Sequence, residues 1–207
     1  MPGAPLREYP QMGLSIQPQF VTAMLFSNSG RTHISLNTGG RTWYGPPTVV
    51  CGGGLAVGYD LSSAFGWSET HLRVNYSYLR NVNGLGMNTS LMPIDFMVEK
   101  GVYAGSHLQW YTALGWTGTV VSIDLHPPDS APSLKGTLSS FVWGAALRTG
   151  FEIYLTPDWG FRWDVYTRAN LMGRSYNVAK NSNLAVFNQR HDLFSELGST
   201  IGLNWML

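Results

Sequence analysis

The stretch FRWDVYTRANL, residues 161–171, places Phe161, Trp163, Val165, Thr167, Ala169 and Leu171 on odd positions and Arg162, Asp164, Tyr166, Arg168 and Asn170 on even ones. Successive side chains of a strand point to opposite faces, so this period of two predicts a strand with one greasy face and one ionic face. The same period, or strong β composition, recurs in eight stretches, at about 11–25, 49–61, 69–81, 91–102, 107–123, 138–155, 161–174 and 192–207. No convincing helical stripe interrupts them.

The connections alternate in length. SNSGRTHISLNTGGRTWYGPP is long, SSAFGW short, NVNGLGMNTS long, AGS brief, HPPDSAPSLKG long, TPDWG tight and SYNVAKNSNLAVFNQRH long. Transmembrane barrels carry short periplasmic turns and longer outer loops, and an even strand number returns both termini to one side. The predicted fold is therefore all-β: a closed, eight-stranded, antiparallel, up-and-down transmembrane barrel over residues 1–207, with 1–10 a periplasmic N-terminal segment. A lipocalin-like soluble barrel also has eight strands, but its apolar residues line the interior and its loops need not alternate.

One parity of the strands gathers Asp60, Arg73, Asp95, Glu99, Arg148, Glu152, Arg162, Asp164, Arg168 and Glu196, with many glycines and alanines. The other carries the bulk, as in Phe141, Trp143, Leu147, Phe151, Ile153 and Leu155 of the sixth stretch. An eight-stranded interior is only wide enough for side chains to fill it or for one small ligand, so the bulky face is expected outside and the small or charged face inside. In lipid a charge on the outer wall costs roughly 2–4 kcal/mol at midplane, whereas in the lumen it finds a partner. Arg80 and Lys100 share the outward parity but lie near strand ends, where they snorkel to headgroups. Aromatics are expected in two belts: Trp110, Trp159, Phe161 and Trp205 near the periplasmic rim, and Tyr76, Tyr78, Trp116, Phe141 and Trp143 toward the outer rim.

Composition narrows the classes. A net charge of +1 and a charged fraction of 12% argue against nucleic-acid binding and against disorder. The single cysteine, Cys51, leaves no disulfide framework and no CxxC metal site. No run of about 18 apolar residues reads as a membrane helix. The start, MPGAPLREYPQ, lacks the pattern of a secretory signal.

At this level the chain resembles the eight-stranded bacterial outer-membrane barrels, the group that includes the OmpA transmembrane domain, OmpX and OmpW. The segment LRTGFEIYLTPDWGFRWDVYTR looks like the penultimate hairpin of that group, and LGSTIGLNWML like its closing strand, with Leu207 where a terminal Phe is usual. The resemblance implies a mature, exported protein in the bacterial outer membrane. Its partners would be outer-membrane lipid and lipopolysaccharide, the barrel assembly machinery during insertion, and other envelope proteins.

No HExxH, GxSxG, P-loop or GxGxxG pattern occurs, and no cofactor is implied. His126 lies near Asp124, and His191 beside Asp192 with Ser195 close by, but strand alternation separates the last three. The charged lumen supports two roles: paired charges that plug it and make the barrel an anchor for working loops, or a partly wet, selective lining for a narrow small-solute channel. Near-balanced signs in so narrow a barrel favour the plug. A subunit of an envelope complex is compatible with either, and a lipid-modifying enzyme is the less favoured reading.

Overall fold

The computed structural model describes residues 13–27, 35–38, 41–44, 48–61, 65–83, 87–104, 107–125, 136–178 and 194–207. Eight of its strands close into a barrel: β1 (Leu14–Ser27), β4 (Thr48–Asp60), β5 (Thr70–Asn83), β6 (Met87–Tyr103), β7 (Leu108–Leu125), β8 (Gly136–Tyr154), β9 (Trp159–Val178) and β10 (Phe194–Met206). Each pairs antiparallel with its neighbours in sequence, and β1 closes the sheet by pairing with both β4 and β10. Closure leaves the barrel no sheet edge, so the ladders satisfy backbone groups all round. Two further strands, β2 (Ser35–Thr38) and β3 (Arg41–Tyr44), form a separate two-stranded sheet.

The first long connection, read as a polar segment between barrel strands, thus holds an antiparallel strand pair of its own. A second expectation also needs correcting. NVNGLGMNTS is not a long loop: β5 and β6 continue through it, with Val82 opposite Asn88 and Asn83 opposite Met87, and only residues 84–86 lie between them. The link from β4 to β5 is longer than that, so the alternation of lengths fails at these two places. Elsewhere 104–107 and 155–158 are tight, while 126–135 and 179–193 are long. The end with the tight connections is the short-turn end, and the opposite one the long-loop end.

Several irregularities mark the wall. The register of β8 on β9 shifts between Trp143, opposite Met172, and Gly144, opposite Asn170, which leaves Leu171 as an extra residue. Such bulges occur at barrel rims, where they increase twist. Pro93 lies within β6, and the pairing of β5 with β6 skips from Tyr76–Ile94 to Leu79–Leu91 around it, as a residue with no N–H to donate dictates.

Close strand contact also explains a glycine. A Cβ on Gly144 would fall on the backbone oxygen of Ala169 in β9. Gly144→Ala is therefore expected to cost about 1–3 kcal/mol of folding free energy, the usual range for overpacking, measured as a shifted urea midpoint in detergent. An unchanged midpoint would show that the strands part at no cost.

Candidate functional site: the filled lumen

The inward face follows from strand parity. On β9, Arg162, Asp164, Tyr166, Arg168 and Asn170 are all buried, while Val165, Thr167 and Leu171 between and beyond them are exposed. The same inversion holds all round. Arg148 and Arg162 are each 1% exposed and Arg168 is 0%, whereas Trp116 is 67% exposed, Leu114 63% and Phe96 58%. Each of the ten charged residues picked out by parity is buried: Asp60, Arg73, Asp95, Glu99, Arg148, Glu152, Arg162, Asp164, Arg168 and Glu196.

Nine of them form one continuous chain of ion pairs. Arg168 grips Asp95 with two hydrogen bonds of 2.8 Å, from Nε and Nη2, and Glu196 with one of 2.6 Å from Nη1. Asp95 also faces Arg148 at 3.6 Å, and Arg148 faces Asp164 at 3.3 Å. Asp164 stands 3.9 Å from Arg162, which pairs with Glu152 at 3.5 Å and, most closely of all, with Glu99. Glu99 reaches Arg73 at 3.8 Å, and Arg73 donates to the Gln17 side-chain oxygen on β1. Asp60, the tenth, sits on β4 opposite His71, at the short-turn end.

Neutral groups brace this chain. Tyr111 donates its hydroxyl to Asp164 at 2.8 Å and lays its ring under the Arg162 guanidinium, 3.4 Å from the centroid. The Tyr166 ring lies 4.3 Å from the guanidinium carbon of Arg168. Asn204 donates to Glu152 at 2.8 Å, and Tyr154 donates to Gln109, which donates in turn to Glu69. Glu69 holds its backbone at φ 54°, in the left-handed region, within the turn that leads into β5.

The interior is not only small or charged, which corrects the expectation for that face. Toward the long-loop end, Val21, Ala23, Leu25, Val50, Leu79, Leu91, Val121 and Val142 form an apolar cluster with Tyr166. The sequence signal for it was loss of alternation: Met24-Leu25-Phe26, Val120-Val121 and Phe141-Val142 are apolar on both faces. Such runs mark strands buried on one side and facing another apolar medium on the other.

The outer wall carries the aromatics. Tyr76, Tyr78, Trp110, Phe141, Trp143, Trp159 and Trp205 are exposed, and Phe161 is half-buried. Trp159 and Trp205 stack with ring centroids 5.5 Å apart and planes at 3°, beside the last turn. Trp110 packs edge-on to Phe151, which meets Trp163 at 5.4 Å. Trp116 stands halfway along β7, directly opposite Phe96. Hydroxyls on this wall bond back to the sheet: Thr149 to the Tyr111 carbonyl, Thr167 to Glu196 and Ser199 to Asp164, all at 3.0 Å. Arg80 and Lys100 are exposed, and Lys100 donates to the Ser68 carbonyl in the turn before β5.

His126, His191 and Asp192, together with the N-terminal segment 1–10, lie outside the described residues. No group of His, Cys, Asp and Glu with the geometry of a metal site occurs among the described residues.

The closed eight-stranded antiparallel barrel, wrapped in exposed apolar side chains, is the architecture of the bacterial outer-membrane β-barrels. Three crystal structures show the likeness. Neisserial surface protein A matches with a TM-score of 0.62 and 13% identity, over 94% of this chain and 97% of that one. OprG from Pseudomonas aeruginosa gives 0.61 and 15%, over 99% of each chain, and Ail, the attachment invasion locus protein of Yersinia pestis, 0.54 and 8%, over 95% and 100%. No protein-family model matches the chain, and no curated protein matches it.

Proposed function

We propose that the protein is an integral barrel of a bacterial outer membrane, with a filled lumen. On this reading it serves as a rigid anchor that presents its long-loop end to a binding partner or to other subunits of an envelope complex. The observation that carries it is the inversion of the wall: an exterior of Trp116, Leu114, Phe96, Leu203 and Ile201 around an interior of interlocked arginines and carboxylates. Water as the outer solvent would leave that exterior a continuous apolar patch far larger than soluble proteins expose. Hydrocarbon makes it an ordinary surface, and closure answers the demand of lipid that every backbone polar group be paired.

Anchoring is favoured over conduction because the lumen is occupied at every height. Gln109 and Met206 close the short-turn end, at 2% and 4% exposure; the ion pairs cross the middle; Leu79 and Leu91, both at 0%, cover the top. Planar-bilayer recordings of the purified chain are expected to show no current steps. Extraction in mild detergent is expected to bring down a stoichiometric envelope partner. A steady conductance in the wild-type chain would replace the anchor with the narrow-channel reading.

A further inference from the structure

The inward face changes character in the same order along several strands, from the short-turn end upward. On β5 the sequence is Arg73, then Asn75 and Ser77, then Leu79; on β1 it is Gln17 and Gln19, then Val21, Ala23 and Leu25; on β7 it is Tyr111, the small Ala113 and Gly115, then Thr117 and Thr119, then Val121. On these strands a belt of neutral polar groups thus lies between the ions and the apolar cluster, whereas toward β9 and β10 the cluster meets the ions directly, with Tyr166 against Arg168 and Leu25 in register with Glu196. Gln19, Asn75, Ser77 and Thr119 are between 0% and 6% exposed, and neither amide atom of Gln19 or Asn75, nor the Ser77 or Thr119 hydroxyl, has a hydrogen-bond partner. Gln19 and Ser77 converge on Gly54 of β4, where a Cβ would stand 3.0 Å from the Gln19 amide nitrogen and 2.7 Å from the Ser77 oxygen.

We propose that the apolar ring of Leu25, Val50, Leu79, Leu91, Val121 and Val142, rather than the ion-pair chain, is the barrier to passage through this barrel, standing over a layer of bound water held by Gln19, Asn75, Ser77 and Thr119. Buried amides and hydroxyls left without partners are costly, and protein interiors meet that cost with water making about three hydrogen bonds per molecule. Water there would stand beside Asp95, which lies opposite Asn75 in the β5–β6 register. These six side chains offer it no hydrogen bond: they are 0–4% exposed, come from six of the eight strands and carry no polar side-chain atom. Toward β9 the cluster is completed by Tyr166. Apolar constrictions of this kind stop ions and water by dewetting, without being sterically sealed.

The inference rests on the filled-barrel reading above, and its test separates the two. Water-edited solid-state NMR of the wild-type chain in lipid vesicles is expected to show rapid magnetisation transfer from water to the side-chain NH2 groups of Gln19 and Asn75, and none to the methyls of Leu79 and Leu91. In planar bilayers the Leu79→Ser/Leu91→Ser double variant is expected to raise proton leak by more than about tenfold over wild type. Arg168→Met, which cuts the ion-pair chain, is expected to stay silent, with folding of each variant checked by heat-modifiable gel migration. Silence of the folded double variant, conduction by Arg168→Met, or dry amides at Gln19 and Asn75 would each overturn the barrier assignment. A wild-type chain that conducts would instead remove the filled-lumen reading, and a double variant that fails to fold leaves the NMR arm to decide.

Discussion

Arg168→Met is expected to lower the stability of the barrel by about 3–5 kcal/mol, the range seen when one partner of a buried ion pair is removed. Arg168 is the most completely engaged cation of the lumen. It makes hydrogen bonds of 2.8 Å to both oxygens of Asp95 and one of 2.6 Å to Glu196, and all three side chains are essentially inaccessible. Methionine fills similar volume but leaves two carboxylates without their principal counter-charge. Arg148 touches Asp164 and Thr200 only at 3.3–3.4 Å and Asp95 at 3.6 Å, so Arg148→Met is expected to cost less. Arg148→Glu adds repulsion, since it sets a third carboxylate beside Asp95 and Asp164, and should lie nearer the Arg168 value. Urea titration in lipid vesicles, followed by tryptophan emission, ranks the three.

The triple variant Arg168→Met/Asp95→Leu/Glu196→Leu distinguishes a lost pair from a lost shape. Replacing a whole buried ionic group by apolar residues of similar volume is often neutral or stabilising. Recovery of most of the wild-type midpoint is therefore expected. If Arg168→Met alone lowers the unfolding free energy by less than about 0.5 kcal/mol, as a surface substitution does, bulk water reaches these ions and the lumen is open rather than filled.

How much of this could be read from the chain depends on the range of the interaction. Strand parity is local, so FRWDVYTRANL announces its two faces within eleven residues. Which carboxylate meets which arginine is not local. It depends on strand tilt and register, which bring Arg168 of β9 to Asp95 of β6 and Arg162 to Glu99 across the barrel. The hairpin of β2 and β3 escaped because strands of four residues in a polar segment carry too few positions for a period. The strands on either side of residues 84–86 escaped for a related reason: Asn81, Asn83, Asn88 and Ser90 are turn-forming types that backbone pairing nonetheless holds in a ladder. The apolar ring was hidden by a rule that treated hydrophobic as outward. Leu25, Leu79 and Leu91 are as greasy as their outward neighbours, and only burial separates the two faces there.

Ile201→Arg tests the orientation on which the membrane reading stands. Ile201 lies near the middle of β10, 47% exposed, opposite Phe20 of β1 and Trp163 of β9. If this wall faces hydrocarbon, the guanidinium must shed water or drag it in, and the loss is expected to be about 2–4 kcal/mol near the bilayer midplane, falling toward about 0–1 near the interfaces. If it faces water, exchanging an exposed isoleucine for arginine changes stability by no more than about 0.5 kcal/mol and improves solubility. The two cases differ several-fold in one equilibrium unfolding measurement in vesicles. A depth series sharpens it. Trp205→Arg, at the short-turn end of the same strand and on the same face, is expected to lose the stacking with Trp159, about 0.5–1.5 kcal/mol, and the apolar contact of its ring, but little for the charge, because the long side chain snorkels to the headgroups. Ile201→Arg should therefore exceed its own truncation, Ile201→Ala, by a wide margin, while Trp205→Arg and Trp205→Ala come out nearly equal. Equal margins at both positions would mean that the wall has no depth-dependent solvent, and the barrel would then have to be placed in water.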